Sequence, residues 1–361
     1  MRPMPKARDV IAAVERLAPP SLAEDWDHCG LQVGDPGAEV DRILVALTPL
    51  PGVFDEAAEV GAGFLLLHHP LIFGPLRSVN TRSYPGGLIS RAINDGLTVY
   101  AAHTSYDAAP DGVSVALARA LGLDEPFEIV SPRGSLKKLV VFVPRENVEP
   151  VSEALAGAGA GRIGDYTRCT FRSPGTGTFL PGEGSDPYLG ERGRLEQVDE
   201  VRLETVVPAH LARAAVDAAT VAHPYEEVAL DVYPVDGFPE NCGYGRIGAL
   251  AEAMPPASLA SHVSDLLGFP ARLVAEGAEE VRRVAALGGS GGSFIPEVAA
   301  SGAQAYVTGD LDYHDALLAE SLGLTAIDAG HAATELPSLA PLAARLADLV
   351  DVPVAVSRVR R

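Results

Sequence analysis

Continuous apolar runs of strand length alternate with helical patterns from the N-terminus to Ser131. "RILVAL", "GFLLLHH" and "GLTVYAAH" read as buried strands, and "FDEAAEVGA" and "GGLISRAINDG" between them carry the helical period. Strands separated by helices predict a mostly parallel sheet covered on both faces. The same pattern returns after residue 240 in "GYGRIGAL", "VRRVAALGG", "GAQAYVTGD" and "GLTAIDAGH", each followed by a helix-like stretch. The fold class is therefore α/β, with two halves at 1–131 and 241–361.

Between the halves, residues 132–240 change texture. "KKLVVFVP", "RLETVVP" and "EEVALDVYPV" read as strands, and "ENVEPVSEALAGAG" and "AHLARAAVDAATVAH" as helices. That string approaches β-α-β-β-α-β, the ferredoxin-like order, and predicts an α+β domain inserted into the first. "FRSPGTGTFLPGEGSDPYLGERG", rich in Gly, Pro and charge, reads as an exposed loop or hairpin.

Composition narrows the function. The chain has 361 residues, 47% of them apolar and 21% charged, enough to bury a substantial core. A net charge of −20 would repel a phosphate backbone, so nucleic acid is a poor partner. No apolar run approaches the roughly 18 residues that span a bilayer. The opening "MRPMPKARDVIAAVERLAPP" has charges within its apolar pattern, as an amphipathic helix does, so a cytoplasmic enzyme or binding protein is expected. The cysteines, Cys29, Cys169 and Cys242, are far apart and form no CxxC pair, so any metal here must use nitrogen and oxygen ligands.

Such ligands stand where strands end. His68 and His69 close the run "FLLLHHPLIF", with Pro70 turning the chain out of the sheet. Alone, the pair is also what a hydrogen-bonded core histidine beside an exposed one looks like. Two further clusters shift the balance: His103 and Asp107 follow "LTVYAAH", and Asp328, His331 and Glu335 follow "GLTAI". In a parallel sheet the carboxyl ends of strands share one edge, and ligands bind in the crevice there. His331 and Glu335, at i and i+4, would lie on one face of a helix starting after Gly330. Taken separately, that pair could be a surface ion pair and Asp107 an ordinary turn carboxylate.

Imidazole and carboxylate together suit zinc, manganese, iron, nickel or cobalt. Three histidines and two carboxylates exceed one tetrahedral site, and would serve two divalent ions about 3.5–4 Å apart whose shared water is acidified. His103 and His314 are then extra ligands or groups behind the ligands that move protons. The run "ALGGSGGSFIPEVAASGA" adds a glycine–serine turn before a helix, so Gly288, Gly289, Ser290, Gly291, Gly292 and Ser293 could offer N–H groups to a phosphate. It lacks the lysine of a P-loop, and a tight turn alone would explain the glycines.

Seven motifs, "WDHCGLQVGD", "LLLHHPLIF", "YAAHTSYDAAPDGV", "GYGRIG", "GGSGGSFI", "YVTGDLDYHDA" and "DAGHAATE", resemble in their order the Nif-three-like family, the GTP cyclohydrolase 1 type 2 homologues. The resemblance covers about 1–130 and 241–361. It implies two α/β/α halves forming one core, a dinuclear metal centre in the cleft between them, and assembly into a hexameric ring. Carried over position by position, its ligands fall on His68, His69, Asp107, His331 and Glu335, with His103 and His314 nearby. It further implies that 132–240 is similar to the PII and CutA proteins. One departure is in the first motif, where His28 and Cys29 replace the family's usual asparagine and aliphatic residue.

Two functions remain in play. One is metal-dependent hydrolysis of a nucleotide-like phosphate compound, either opening a purine's imidazole ring with loss of formate or cleaving a phosphoester. The other is a non-catalytic metal-binding or regulatory oligomer whose inserted domain senses a ligand.

Overall fold

The apolar runs of the flanking segments become strands of two sheets in the computed structural model, which describes residues 4–132, 136–163, 166–235 and 241–360. The chain divides into two units, Met1–Arg133 with Asn241–Arg361, and Gly134–Glu240.

In the first unit, one sheet has the order β1 (Gly30–Val33), β4 (Thr98–Ala101), β3 (Phe64–Leu67), β2 (Ile43–Ala46), β15 (Val354–Val356). All but β1 run parallel. Its central strands β2 and β3 are apolar throughout because both faces are covered. Val45, Phe64, Leu66 and Tyr100 pack towards helices Ala7–Leu17 and Leu339–Ala347, while Leu44, Ala46, Leu65 and Leu67 pack towards Pro51–Val60 and Gly86–Asn94. Pro51 starts the third of these helices, and Gly61 closes it with φ 67. Proline at the first helical position and a left-handed glycine past the end are the residues that suit those places.

The second sheet has the order β11 (Arg272–Ala275), β14 (Thr325–Asp328), β13 (Ala305–Gly309), β12 (Val281–Ser290), β10 (Gly243–Met254), β5 (Glu128–Pro132). Strands β12, β13 and β14 are parallel, and the others antiparallel. The two sequence halves interleave: the C-terminal β15 joins the first sheet, and β5, from before residue 133, joins the second. Arg246 on β10 is 3% exposed. It donates to the carbonyls of Gly243 and Gly245 at 2.8 Å and of Asn241 at 3.0 Å, and reaches towards those of Ala109 and Pro110 at 3.5 Å. Burial pulls its pKa down to about 10, but the carbonyl cage keeps the charge solvated by backbone. The chain just after Asp107 is thereby tied to β10.

In the second unit, β6 (Leu136–Pro144), β7 (Thr170–Phe179), β8 (Glu196–Pro208) and β9 (Leu230–Pro234) pair antiparallel in the order β7-β8-β6-β9. Helices Val148–Gly157 and Ala212–Ala222 pack on Leu139, Val141, Val143, Leu203 and Val207. The chain order and sheet order are ferredoxin-like. The segment expected to be a loop or hairpin is in its first part β7, matched residue for residue with β8 from Thr170 to Phe179. Pro174 is tolerated there because β7 is an edge strand.

Candidate metal centre

Register brings the strand-end residues together. Ala46, Leu67 and Ala101 are matched across β2, β3 and β4. Pairing continues one step further, with the N–H of His68 on Ala46 O, of His69 on Leu47 O and of Ala102 on Leu67 O. His68 and His69 thus leave the sheet edge together, their ring centroids 5.0 Å apart. The helix Thr104–Asp107 begins at the end of β4 and carries Asp107 over them. From the other sheet, β14 ends at Asp328, Gly330 turns the chain at φ 85, and helix His331–Glu335 supplies both its terminal residues.

His68 Nε2 lies 3.5 Å from Asp107 Oδ1 and 3.4 Å from Glu335 Oε1. His69 Nε2 is 3.0 Å from Glu335 Oε2, and His331 Nε2 is 3.2 Å from both Glu335 Oε1 and His69 Nε2. Three overlapping sets, His68 with His69 and His103, His69 with His331 and Glu335, and His68 with Asp107 and Glu335, each bring ligand atoms within 4.8 Å of one another. Such sets could hold a metal ion.

The outward nitrogens show why the inner ones are free to ligate. His68 Nδ1 donates to Ala102 O at 3.0 Å, a carbonyl that can only accept. His331 Nδ1 donates to Asp310 Oδ2 at 2.6 Å, and His103 Nδ1 to Asp27 Oδ1 at 3.0 Å. In the neutral ring, with the proton on Nδ1, each Nε2 would present a lone pair, the arrangement metal-binding histidines share. His69 Nδ1 meets Thr48 Oγ1 at 3.0 Å. Asp310 holds its place at φ 55, a conformation costly for a non-glycine residue and characteristic of functional sites.

A cation fits this donor set. Buried atoms His68 Nε2 and Asp107 Oδ1 have no hydrogen-bond partner among the described residues. Leaving such atoms unsatisfied costs about 1–3 kcal/mol each, a cost a bound cation would remove. Protons do part of that work in its absence. Burial disfavours a charged His68, but Asp107 and Glu335 outweigh it and raise its pKa to about 9. The Glu335 hydrogen bond raises His331 to about 9 against burial. Burial lifts Asp107 to about 6, whereas Glu335, also buried, is held well below the usual range by His68, His331 and His69.

Other expected site residues lie elsewhere. His314 is on the exposed first turn of helix Tyr313–Ser321, its N–H on the Asp312 cap at 2.7 Å, outside all three donor sets and the cavity lining. Asp328 caps the turn through Gly330 N and pairs with Arg272 at 2.5 Å. In the glycine turn, the N–H of Gly289 is engaged by Thr334 Oγ1 at 2.9 Å and that of Gly291 by Gly309 O at 3.3 Å. The helix that follows, Ile295–Ala300, has only 6 residues. Close packing explains its glycines: a Cβ on Gly289 would stand 2.7 Å from Glu335 Oε1, and one on Gly288 would overlap Val113.

Sequence reasoning missed Asp27, Asp310 and Thr48, which orient the histidines, because each acts through a nitrogen far away along the chain. Cys29 is explained by the same network: its thiol donates to Asp27 Oδ2 at 3.0 Å and accepts from His103 N at 3.4 Å. Above the donors opens a cavity of about 670 Å³ lined by Trp26, Phe73, Tyr84, His103, Ser290 and Ser293 among others. Trp26 and Phe73, 57% and 59% exposed, give it flat apolar walls.

The Duf34/NIF3 (NGG1p interacting factor 3) family profile matches residues 5–361. A Halalkalibacterium halodurans protein named GTP cyclohydrolase 1 type 2 homolog is 44% identical over 328 residues, 89% of this chain and 87% of its own. A Bacillus subtilis protein of the same name is 42% identical over 332 residues, 91% of this chain and 89% of its own. Among solved structures, a Bacillus cereus protein related to NIF3 is 42% identical and aligns with a TM-score of 0.84 over 99% of this chain and 98% of its own. A Staphylococcus aureus protein, 29% identical, aligns at 0.78 over 99% and 97%.

Proposed function

The chain belongs to the Duf34/NIF3 family, and from that premise we propose that it is a metal-dependent hydrolase of a nucleotide-like phosphate compound, holding two divalent transition-metal ions. The observation that carries the reading is the convergence of His68, His69, Asp107, His331 and Glu335, with buried donor atoms left unpaired among them. Overlapping donor sets suit two ions better than one, and Glu335, common to two sets, would help hold them. When bound, such ions supply Lewis acidity and a deprotonated water at neutral pH.

The chain's own residues would do the rest. His103, its Nδ1 fixed by Asp27, takes up or delivers a proton at Nε2 on the cavity side. Trp26 and Phe73, with centroids 6.1 Å apart, would hold a flat base, and the hydroxyls of Ser290 and Ser293 would meet its phosphate. The homo-hexamer implied by the family resemblance and the cytoplasmic setting expected from the chain's apolar pattern belong to the same proposal. The name carried by the relatives favours ring opening with loss of formate, and the site's chemistry suits phosphoester cleavage equally.

A panel of nucleotides, read for both formate and phosphate with the metal-loaded protein, tests this. Turnover should stop on chelation and return with one preferred metal. Full metal loading without turnover on any member would sink the hydrolase and favour a regulatory metal-binding protein, for which the compact inserted unit is the supporting feature.

A further inference from the structure

The Gly134–Glu240 unit has a cavity of its own, about 560 Å³, within the size range of small-molecule sites. Its walls are aromatic. Phe179 and Tyr188 stand 6.2 Å and 6.1 Å, centroid to centroid, from Tyr225, and Phe142 contributes a fourth ring. Glu200, 9% exposed, lies among them and accepts the Tyr225 hydroxyl through Oε1 at 2.9 Å, which fixes that ring. A Cβ on Gly177 would overlap Glu200 Oε2, so β7 yields its side chain to seat the carboxylate. Nothing in the ferredoxin-like topology requires a buried carboxylate under a cluster of rings.

The charge of the lining selects a ligand. Glu200, Glu226 and Glu227 face a single guanidinium, Arg202, whose Nε is already 3.0 Å from Glu204. An anion would find one engaged cation and three carboxylates. A metal ion would find these carboxylates too dispersed, since none of them belongs to a convergent donor set among the described residues. The faces of Tyr and Phe attract a positive charge, and their carbon surface buries an apolar body. We propose that the inserted unit binds an organic ammonium ion with apolar substituents, its charge over the Tyr225, Tyr188 and Phe179 rings and against Glu200.

Calorimetric titration of the full-length, metal-loaded protein with choline and with phenyltrimethylammonium tests this. One saturable site per chain is expected, with the uncharged isostere of choline, 3,3-dimethyl-1-butanol, binding about tenfold more weakly or less. Glu200→Gln should weaken the cations by about tenfold. Tyr188→Ala, at a half-exposed ring, should do the same without touching the buried carboxylate, with folding checked by circular dichroism. Equal binding of the isostere, unchanged affinity in both variants, or no saturable cation binding would overturn the proposal. So would AMP binding abolished by Arg202→Gln, which would make the cavity an anion site.

Discussion

Asp27 accepts the Nδ1–H of His103 at 3.0 Å across 76 positions of sequence, and with no exposed side-chain surface it also takes the N–H and hydroxyl of Thr104 and the Cys29 thiol. Burial alone would raise its pKa, but His103, Thr104 and Cys29 hold it far below the usual range. A depressed carboxylate stabilises the fold fully above its unfolded value, near 3.9, and that contribution is lost as pH falls through the folded value. Asp27→Asn should therefore destabilise the metal-free protein at pH 7 by on the order of 2–3 kcal/mol, and the gap should narrow below about pH 4. Urea unfolding at both pH values measures it. A gap independent of pH would mean that Asp27 acts by shape alone.

Metal binding should release protons. His68 and His331 are raised to about 9 in the metal-free protein, and ligation requires both as neutral imidazoles. At pH 7.5, calorimetry with zinc in buffers of differing ionisation enthalpy should report release of about two protons, and apparent affinity should climb with pH up to about 9. The sign for stability is opposite. A raised imidazole stabilises fully below its unfolded value, near 6.5, and loses that contribution as pH rises through the folded value. The metal-free melting temperature should fall between pH 6.5 and 9, and that of the zinc-loaded protein should not follow it.

Gly289 guards Glu335. At φ 75 it suffers strain with any side chain, and a Cβ would press on Glu335 Oε1 at 2.7 Å. Gly289→Ala should cost about 1–2 kcal/mol from the backbone alone and displace the carboxylate. Elemental analysis after reconstitution and desalting should show less metal than the parent in Gly289→Ala and still less in Glu335→Gln. Parent-like metal in Glu335→Gln would exclude Glu335 as a ligand.

The donors that meet are legible in the sequence because a parallel sheet puts strand ends on one edge, and His68, His103 and His331 each follow such an end. What orients them is not legible. Thr48 and Asp310 matter through single hydrogen bonds to ring nitrogens 21 positions away, and no local pattern marks them. The glycine turn is ambiguous for a related reason: glycine admits close approach as well as free N–H groups, and here Val113 and Glu335 do approach. His314 also follows a strand, β13, but the Asp312 cap starts its helix in solvent. Apolar pattern shows that a strand is buried without showing in which sheet, which is why the exchange of β5 and β15 between halves is invisible. β7 is legible only as part of a loop or hairpin because Pro174, Gly175 and Gly177 carry turn signals that an edge strand can absorb.

Strands β5 and β10 are antiparallel neighbours in which Pro132 is matched with Gly243, so the chain departs and returns at two adjacent strand ends. Matched residues in antiparallel strands have Cα atoms about 4.5–5.5 Å apart, a span that a hairpin loop of about two to five residues closes. The insert's own ends are likewise adjacent, since Lys137 is matched with Pro234 and Val235 N donates to Leu136 O at 2.9 Å. Each unit also has its own buried core. Replacing residues 134–240 with Asn-Gly should therefore leave a monodisperse, cooperatively melting protein that still takes up metal, because none of the converging donors lies in the excised segment. Residues 134–240 expressed alone should fold and should still bind choline. An excised protein that aggregates or loses its metal would show that the insert supports the first unit by more than this one connection.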